Sequence, residues 1–207
     1  MGAIVTIDGP SGVGKTAIAG RVAKELELPY LPSGTLYRVA AWAMMQQGIN
    51  LNDEIMTSSL IQTFNPSVTE DGRIGYEGQE ASARVQTPEM GMAAATIAHY
   101  PAVRDRLTFL QQEFGRKHGC VIEGRSTAIE IFPNADVKIW LTADLKERMK
   151  RKRQAATTME ARDAVDRQRL LAPMQVADGA FKIDSTHMTI DETVREIVGH
   201  CRQALSR

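Results

Sequence analysis

Apolar and polar residues follow one another along the chain in blocks that predict alternating strands and helices. Short apolar runs typical of buried strands lie at residues 3–8, 30–31, 119–123, 137–141 and 180–183. Between them apolar residues recur at helical spacing, as in residues 15–28, where Ile18, Val22 and Leu26 share one face. This alternation predicts an α/β fold, a parallel sheet with helices on both faces that binds ligands at the carboxyl ends of its strands.

One stretch, residues 66–84, departs from this alternation and predicts a small β insertion. The runs 67–69 and 74–76 flank an Asp-Gly pair at 71–72, which is a turn signal for a β-hairpin. Before this stretch, Ser33 is expected to cap a second helix. No repeat or linker divides the sequence, so we expect a single domain over residues 1–207.

Composition excludes a disordered chain and a chain with a strong overall charge. The sequence has 207 residues, 43% hydrophobic and 24% charged, and its 25 Lys plus Arg balance its 25 Asp plus Glu. No global field therefore exists to hold nucleic acid or an anionic membrane. Charge is clustered locally: residues 144–169 contain nine basic and five acidic side chains, and residues 50–89 contain two basic and seven acidic.

The cysteines and the apolar runs predict a cytoplasmic protein without a membrane partner. Cys120 and Cys201 are the only cysteines and lack the spacing of a metal site, which favours a reducing compartment. No run approaches the ~18 apolar residues of a membrane span. Gly2 and Thr6 match a loose N-myristoylation pattern, but the same residues are better explained as a buried strand.

Residues 9–16 read GPSGVGKT, a complete GxxxxGK[ST] phosphate loop between a predicted strand and a predicted helix. The candidate ATP-binding residues are Gly9, Ser11, Gly12, Val13, Gly14, Lys15 and Thr16. Backbone N–H groups would surround the β-phosphate, Lys15 would neutralise phosphate oxygens, and Thr16 would offer a hydroxyl to Mg²⁺. Glu123 ends a strand nearby and could hold the metal through water, the alternative being that it caps the next turn.

Five blocks in this order resemble bacterial cytidylate kinase, a nucleoside monophosphate kinase: IDGPSGVGKT, SGTLYR, TPEMGMAAATIAHYPAVRDRL, EGRSTAIEIFPNADVKIWLTA and DRQRLLAP. The resemblance covers nearly the whole chain. It implies a three-layer P-loop NTPase-type fold with a monophosphate-binding insertion at about residues 60–90 and a helical lid at about residues 145–170. It also implies transfer of the ATP γ-phosphate to CMP or dCMP, with Mg²⁺ as the metal.

The same resemblance assigns an acceptor site. Its candidate residues are Ser33, Tyr37, Arg38, Ala95, Arg104, Arg125, Ser126, Arg162, Asp166 and Arg169. Arg125 and Arg169 would clamp the acceptor phosphate and act in catalysis with Lys15, since guanidinium forks stabilise charge on a transferring phosphoryl group. Arg162 and Asp166 would face the ribose. For each arginine alone, a solvated helix face is the alternative.

The predicted lid begins in a strongly basic run. Residues 146–153 contain six cations and one acid, which suits a segment that covers ATP phosphates and excludes water. Arg148 is the candidate ATP ligand here and Arg151 a candidate catalytic residue. Nucleic-acid binding is the rival interpretation, but no aromatic residues are interleaved with the charges.

Two positions and the length of the lid depart from the family pattern. Ser126 stands where the family has Asp, and Ala95 stands where the family has Ser or Thr. In the family, both of these residues help to recognise cytosine. The third base-recognising residue of the family, an arginine, is present here as Arg104. The lid between residues 153 and 162 is also shorter than in the family. Because a carboxylate distinguishes an amine from a carbonyl and a hydroxyl scarcely does, we expect altered or relaxed base selection.

Three functions stay open at this point. The first is a CMP or dCMP kinase, and the second is a kinase of a modified pyrimidine nucleotide or another phosphorylated metabolite, as Ser126 and Ala95 indicate. The third is a non-catalytic nucleotide-binding protein, against which the intact Lys15, Arg38 and Arg125 argue. In each case the expected partners are small-molecule nucleotides rather than nucleic acid, and the expected state is a monomer or weak dimer.

Overall fold

A computed structural model describes residues 2–152, 160, 163–164 and 174–206. Its main sheet is parallel and contains β1 (Ile4–Asp8), β2 (Tyr30–Pro32), β6 (Cys120–Gly124), β7 (Val137–Thr142) and β8 (Phe181–Asp184). The spatial order is β2-β6-β1-β7-β8, and every neighbouring pair is parallel. This sheet confirms the prediction from the five apolar runs.

Helices cover both faces of the sheet. They are α1 (Lys15–Glu25), α2 (Ser33–Gln46), α3 (Glu54–Leu60), α4 (Pro88–Ile97), α5 (Pro101–His118), α6 (Leu145–Lys152) and α7 (Ile190–Leu205). Val5 and Ile7 of β1 pack with Ile18 of α1 and Ile197 of α7 in one core. A second core on the other face includes Ile122 of β6. Burial on both faces explains why β1, β2 and β6 are buried almost throughout, whereas β7 alternates between buried and partly exposed residues.

The predicted β insertion is present and has one strand more than expected. Its strands are β3 (Ser67–Val68), β4 (Ile74–Tyr76) and β5 (Gln79–Glu80), and both pairings are antiparallel. Ile74 is fully buried in a third core that α2, α4 and α5 share, so the insertion is held against the helices. Thr87 caps α4 by accepting a hydrogen bond from Met90 N, and Pro88 opens the helix.

Two local expectations need correction. Ser33 is the first residue of α2 rather than its cap, and Pro32 occupies the cap position without a side-chain hydrogen bond. The Ser33 side chain instead lies in the wall of the cavity described below. The first helix ends at Glu25, three residues before the end of the predicted helical segment at residue 28. Among the helices that the model describes, none is long and apolar enough to cross a membrane.

Candidate functional site

A cavity of about 480 Å³ opens beside the phosphate loop, where β1, β2 and β6 end. Most of the site residues predicted from the sequence line it: Ser11, Gly12, Gly14, Lys15, Thr16, Ser33, Tyr37, Arg38, Ala95, Arg104, Glu123, Arg125, Ser126 and Arg151. Because side chains from six separate elements converge there, the cavity is the candidate active site.

The phosphate loop has the backbone that its glycines predict. Gly14 has a φ of 95° at the cap of α1, a conformation that side chains with a Cβ rarely adopt. A Cβ at Gly9 would lie 2.1 Å from the carbonyl oxygen of Leu141, so only glycine lets the loop pass that close to β7. The loop therefore begins pressed against the sheet and ends on a helix N-terminus, which is a ready anion site.

Lys15 is folded back onto the loop. Its Nζ donates to the carbonyl oxygens of Gly9 and Pro10 at 2.8 and 2.9 Å, and the residue is 9% exposed. Burial, followed by the positive charge of Arg125, lowers the pKa of Lys15 to about 7, while Glu123 acts in the opposite direction. Binding of a negatively charged group beside Lys15 would therefore raise this pKa and favour the protonated amine.

Thr16 and Glu123 meet at the cavity floor, where the hydroxyl of Thr16 donates to Oε1 of Glu123 at 3.5 Å. Glu123 is 7% exposed at the end of β6, and both residues line the cavity. A hydroxyl and a carboxylate are the oxygen donors that Mg²⁺ prefers, so this pair fits the predicted metal. The contact favours a site role for Glu123 over the capping of a turn.

The basic helix α6 lies against the phosphate loop. Arg148 Nη1 donates to the carbonyl oxygen of Ser11 at 2.9 Å, and Arg151 Nη1 donates to that of Val13 at 3.3 Å. Lys152 Nζ donates to the Ser11 hydroxyl at 3.0 Å. The Arg148 side chain is 11% exposed and that of Lys150 is 77% exposed, so the helix turns only some of its cations to the loop.

Asp163 is a site residue that the sequence analysis missed. Its carboxylate accepts from the backbone N–H of Ser11 at 2.9 Å and from Arg148 Nη1 at 2.6 Å, and Oδ1 lies 3.9 Å from Arg125 Nη1. The residue is 1% exposed. A buried acid beside two arginines and a loop N–H neutralises part of the positive charge around the phosphate loop. The charge pattern of the lid gave no signal that singled it out.

Arg38 and Arg125, two of the predicted acceptor residues, both line the cavity. Arg125 Nη1 donates to the carbonyl oxygen of Gly9 at 2.9 Å, which holds it beside the phosphate loop. Arg38 Nη1 donates to the carbonyl oxygen of Val85 at 3.1 Å, so the guanidinium bridges α2 and the segment before α4. Such guanidinium groups can bind an acceptor phosphate through their planar forks.

Ala95, Ala98, Arg104, Ser126 and Glu130 line another part of the cavity, here named the Arg104 wall. Arg104 Nε donates to Oε1 of Glu130 at 2.9 Å, Nη2 donates to Oε2, and Nη1 donates to the carbonyl oxygen of Ala98 at 3.2 Å. Ala95 and Ser126 both line the cavity, and their role in reading the base stays a prediction. Glu130 was missed, and its only sequence signal is an acid within an otherwise apolar run.

A π-helical turn, Thr127–Ile131, carries Glu130 to the cavity. Asp8 at the end of β1 fixes the start of this turn. Its Oδ1 accepts from the N–H and the hydroxyl of Thr127, both at 3.0 Å, and its Oδ2 accepts from Ala128 N at 2.8 Å. Asp8 is 3% exposed, so this buried acid is a structural clamp rather than a ligand group.

Arg162, Asp166 and Arg169, the remaining predicted acceptor residues, lie outside the described part of the chain. Their roles therefore stay predictions. Gly9 and Val13 do not line the cavity themselves, but their carbonyl oxygens bind Lys15 and Arg151. Arg148 does not line the cavity either, and it contacts the phosphate loop through the carbonyl oxygen of Ser11.

Comparison with known proteins finds relatives that match nearly the whole chain. The family model for cytidylate kinase matches residues 5–203. A cytidylate kinase of Neisseria meningitidis serogroup A is 35% identical over 213 residues, which are 97% of this chain and 97% of that protein. A bifunctional pantoate ligase/cytidylate kinase of Synechococcus sp. is 35% identical over 99% of this chain, and the chain spans 41% of that protein's length.

Solved structures extend the likeness to the fold. The shikimate kinase from Acinetobacter baumannii in complex with shikimate has a TM-score of 0.51, with 98% of this chain and 94% of that chain covered at 14% identity. At that identity the likeness shows the fold alone. The family match over nearly the whole chain is the stronger finding, and the phosphate loop and converging arginines agree with it. The chain therefore belongs to the cytidylate kinase family, whose members are ATP-dependent phosphotransferases.

Proposed function

We propose that this protein transfers the γ-phosphate of ATP to CMP or dCMP, with Mg²⁺ bound at Thr16 and Glu123. The observation that carries the proposal is one cavity shared by Lys15 and Thr16 of the phosphate loop and by Arg38 and Arg125. The donor and the acceptor phosphate would therefore meet among guanidinium groups and a lysine. Cytidylate kinase relatives at 35% identity support the choice of acceptor.

In this mechanism the protein positions charges and needs no general base. The attacking oxygen belongs to a phosphate that is already ionised, so binding and electrostatic stabilisation carry the rate. Lys15 would bind the oxygens between the β- and γ-phosphates, and Arg125 would hold the acceptor phosphate in line. Mg²⁺, when bound, supplies a Lewis acid that neutralises the phosphate oxygens. Arg148 and Arg151 of α6 would exclude water above the loop.

A kinase of a 5-substituted or otherwise modified pyrimidine nucleotide is the second candidate. Gly91, Ala94, Ala95 and Ala98 line the cavity along one face of α4 and its end, so small side chains leave room beside the Arg104 wall. Cytoplasmic location and a monomer or weak dimer stay predictions.

The test is a coupled ADP-release assay across ribo- and deoxyribonucleoside monophosphates and 5-substituted cytidylates. We expect turnover with CMP and dCMP, and a loss of several orders of magnitude in kcat for Lys15→Ala, because Lys15 acts on charge that shifts during transfer. Lys24→Ala, an exposed lysine of the same helix, is the matched control and should leave kcat unchanged. Absence of turnover with every monophosphate, or full activity in a folded Lys15→Ala variant, would contradict the proposal.

A further inference from the structure

The Arg104 wall contains a carboxylate where the family pattern led us to expect none. The resemblance implies an Asp at position 126, and this chain has Ser126, a buried residue. Glu130 follows four residues later, and its backbone N–H donates to the carbonyl oxygen of Ser126 at 2.9 Å. The π-helical turn brings both residues to the same cavity. The Arg104 wall therefore carries the carboxylate of Glu130 four residues after Ser126.

The Arg104–Glu130 pair presents mainly hydrogen-bond acceptors, rather than donors, to a ligand in the cavity. Nε, Nη1 and Nη2 of Arg104 are each engaged, to Glu130 or to the carbonyl oxygen of Ala98. Each carboxylate oxygen of Glu130 accepts one of these hydrogen bonds and keeps a further lone pair. The Glu130 side chain is 21% exposed against 7% for Arg104, so the carboxylate is the more accessible partner.

The ion pair also fixes the direction of the carboxylate. Two parallel N–H···O contacts from Arg104 hold the carboxylate of Glu130 in one plane. A fixed anion rewards an amino group that donates to it and repels a carbonyl oxygen. Cytosine and uracil differ in this way at a single ring position.

We propose that Glu130 is the specificity-determining residue for the acceptor base, accepting a hydrogen bond from its exocyclic amino group while Arg104 holds the carboxylate in place. The inference rests on the proposed nucleoside monophosphate kinase activity and adds the group that reads the base. It replaces the expectation of relaxed selection, which assumed that no other carboxylate reached this wall. The acceptor it predicts is an amino-bearing pyrimidine nucleotide.

The experiment compares kcat/KM for CMP and UMP in the wild-type protein and in Glu130→Gln. We expect wild type to prefer CMP by at least about tenfold, and the variant to reduce that ratio by about tenfold or more, because a Gln amide can donate to the uracil carbonyl. Glu130→Asp keeps the carboxylate but shortens the side chain by one methylene, so it should still prefer CMP, at a ratio lower than that of wild type. Glu113→Gln, at an exposed Arg116–Glu113 pair, is the matched control and should leave the ratio unchanged.

The outcomes separate this inference from the proposed function. No turnover of any monophosphate by wild type contradicts the function itself. Wild-type turnover with no preference for CMP over UMP overturns the inference alone, as does an unchanged ratio in Glu130→Gln. Should Glu130→Gln be unstable, the CMP-to-UMP ratio of Glu130→Asp decides: a ratio equal to that of wild type overturns the inference, and a reduced ratio in favour of CMP supports it.

Discussion

Binding of ATP should draw close to one proton from solution at slightly alkaline pH. Lys15 has a pKa of about 7 in the protein because it is buried and faces the positive charge of Arg125. Its Nζ donates to two carbonyl oxygens, at 2.8 and 2.9 Å, which a neutral amine with two hydrogens can satisfy. The phosphates of ATP favour the charged form, so binding should raise the pKa of Lys15 toward its ordinary value.

The magnitude follows from this shift. With a pKa of about 7, about one tenth of Lys15 is protonated at pH 8, so binding should take up about 0.9 proton per site. Near pH 6 the lysine is already charged, and uptake should fall to about 0.1 proton. By the same linkage, the affinity for ATP should fall by up to about tenfold for each pH unit above pH 8.

Isothermal titration calorimetry in buffers of different ionisation enthalpy, such as HEPES and Tris, measures the uptake directly. Lys15→Arg keeps a positive charge but has no proton to gain, so any binding it retains should occur without uptake. Lys24→Arg, exposed on the same helix, should behave as wild type. A wild-type uptake near zero at pH 8, together with a pH-independent affinity, would refute the reasoning, because Lys15 would then be charged before ATP arrives.

The remaining predictions concern the acceptor clamp and the buried acid of β1. Arg125→Lys should lower kcat/KM for the acceptor by more than about tenfold, since a point charge cannot reproduce a bidentate fork. Calorimetry should show that the variant loses more affinity for the acceptor than for ATP. A larger loss of ATP affinity would mean that Arg125 binds the donor rather than the acceptor. Asp8→Asn should lower the free energy of unfolding by about 2 kcal/mol in urea titrations, because the amide would turn a donor toward the N–H of Thr127 or Ala128. A change below about 0.5 kcal/mol would show that these contacts are weak.

The phosphate loop and the sheet could be predicted because their signals are local. A parallel strand buried on both faces needs a continuous apolar run, and the loop needs glycines at fixed spacing before Lys15. By contrast, β5 (Gln79–Glu80) has two exposed polar residues and shows no strand pattern of its own. It forms because it pairs with β4, a contact that local sequence does not specify.

Asp163 and Glu130 could not be predicted for a different reason. Asp163 contacts Ser11, a residue 152 positions away, and the turn that carries Glu130 is fixed by Asp8, 119 positions before Thr127. Such placements depend on how distant elements pack, and a single sequence offers no spacing rule for them. Both acids stand out only once their arginine partners are known.

The presence of Glu130 gives a physical reason for a neutral residue at position 126. Arg104 is 6% exposed and is the cation that pairs with Glu130 at this wall. A second carboxylate at position 126, which is buried and lines the same cavity, would add a negative charge near Glu130, and an uncompensated buried anion is costly. A neutral Ser126 avoids this repulsion. Loss of an acid at 126 is therefore compatible with amine recognition, because the carboxylate at 130 does not need it and would be opposed by it.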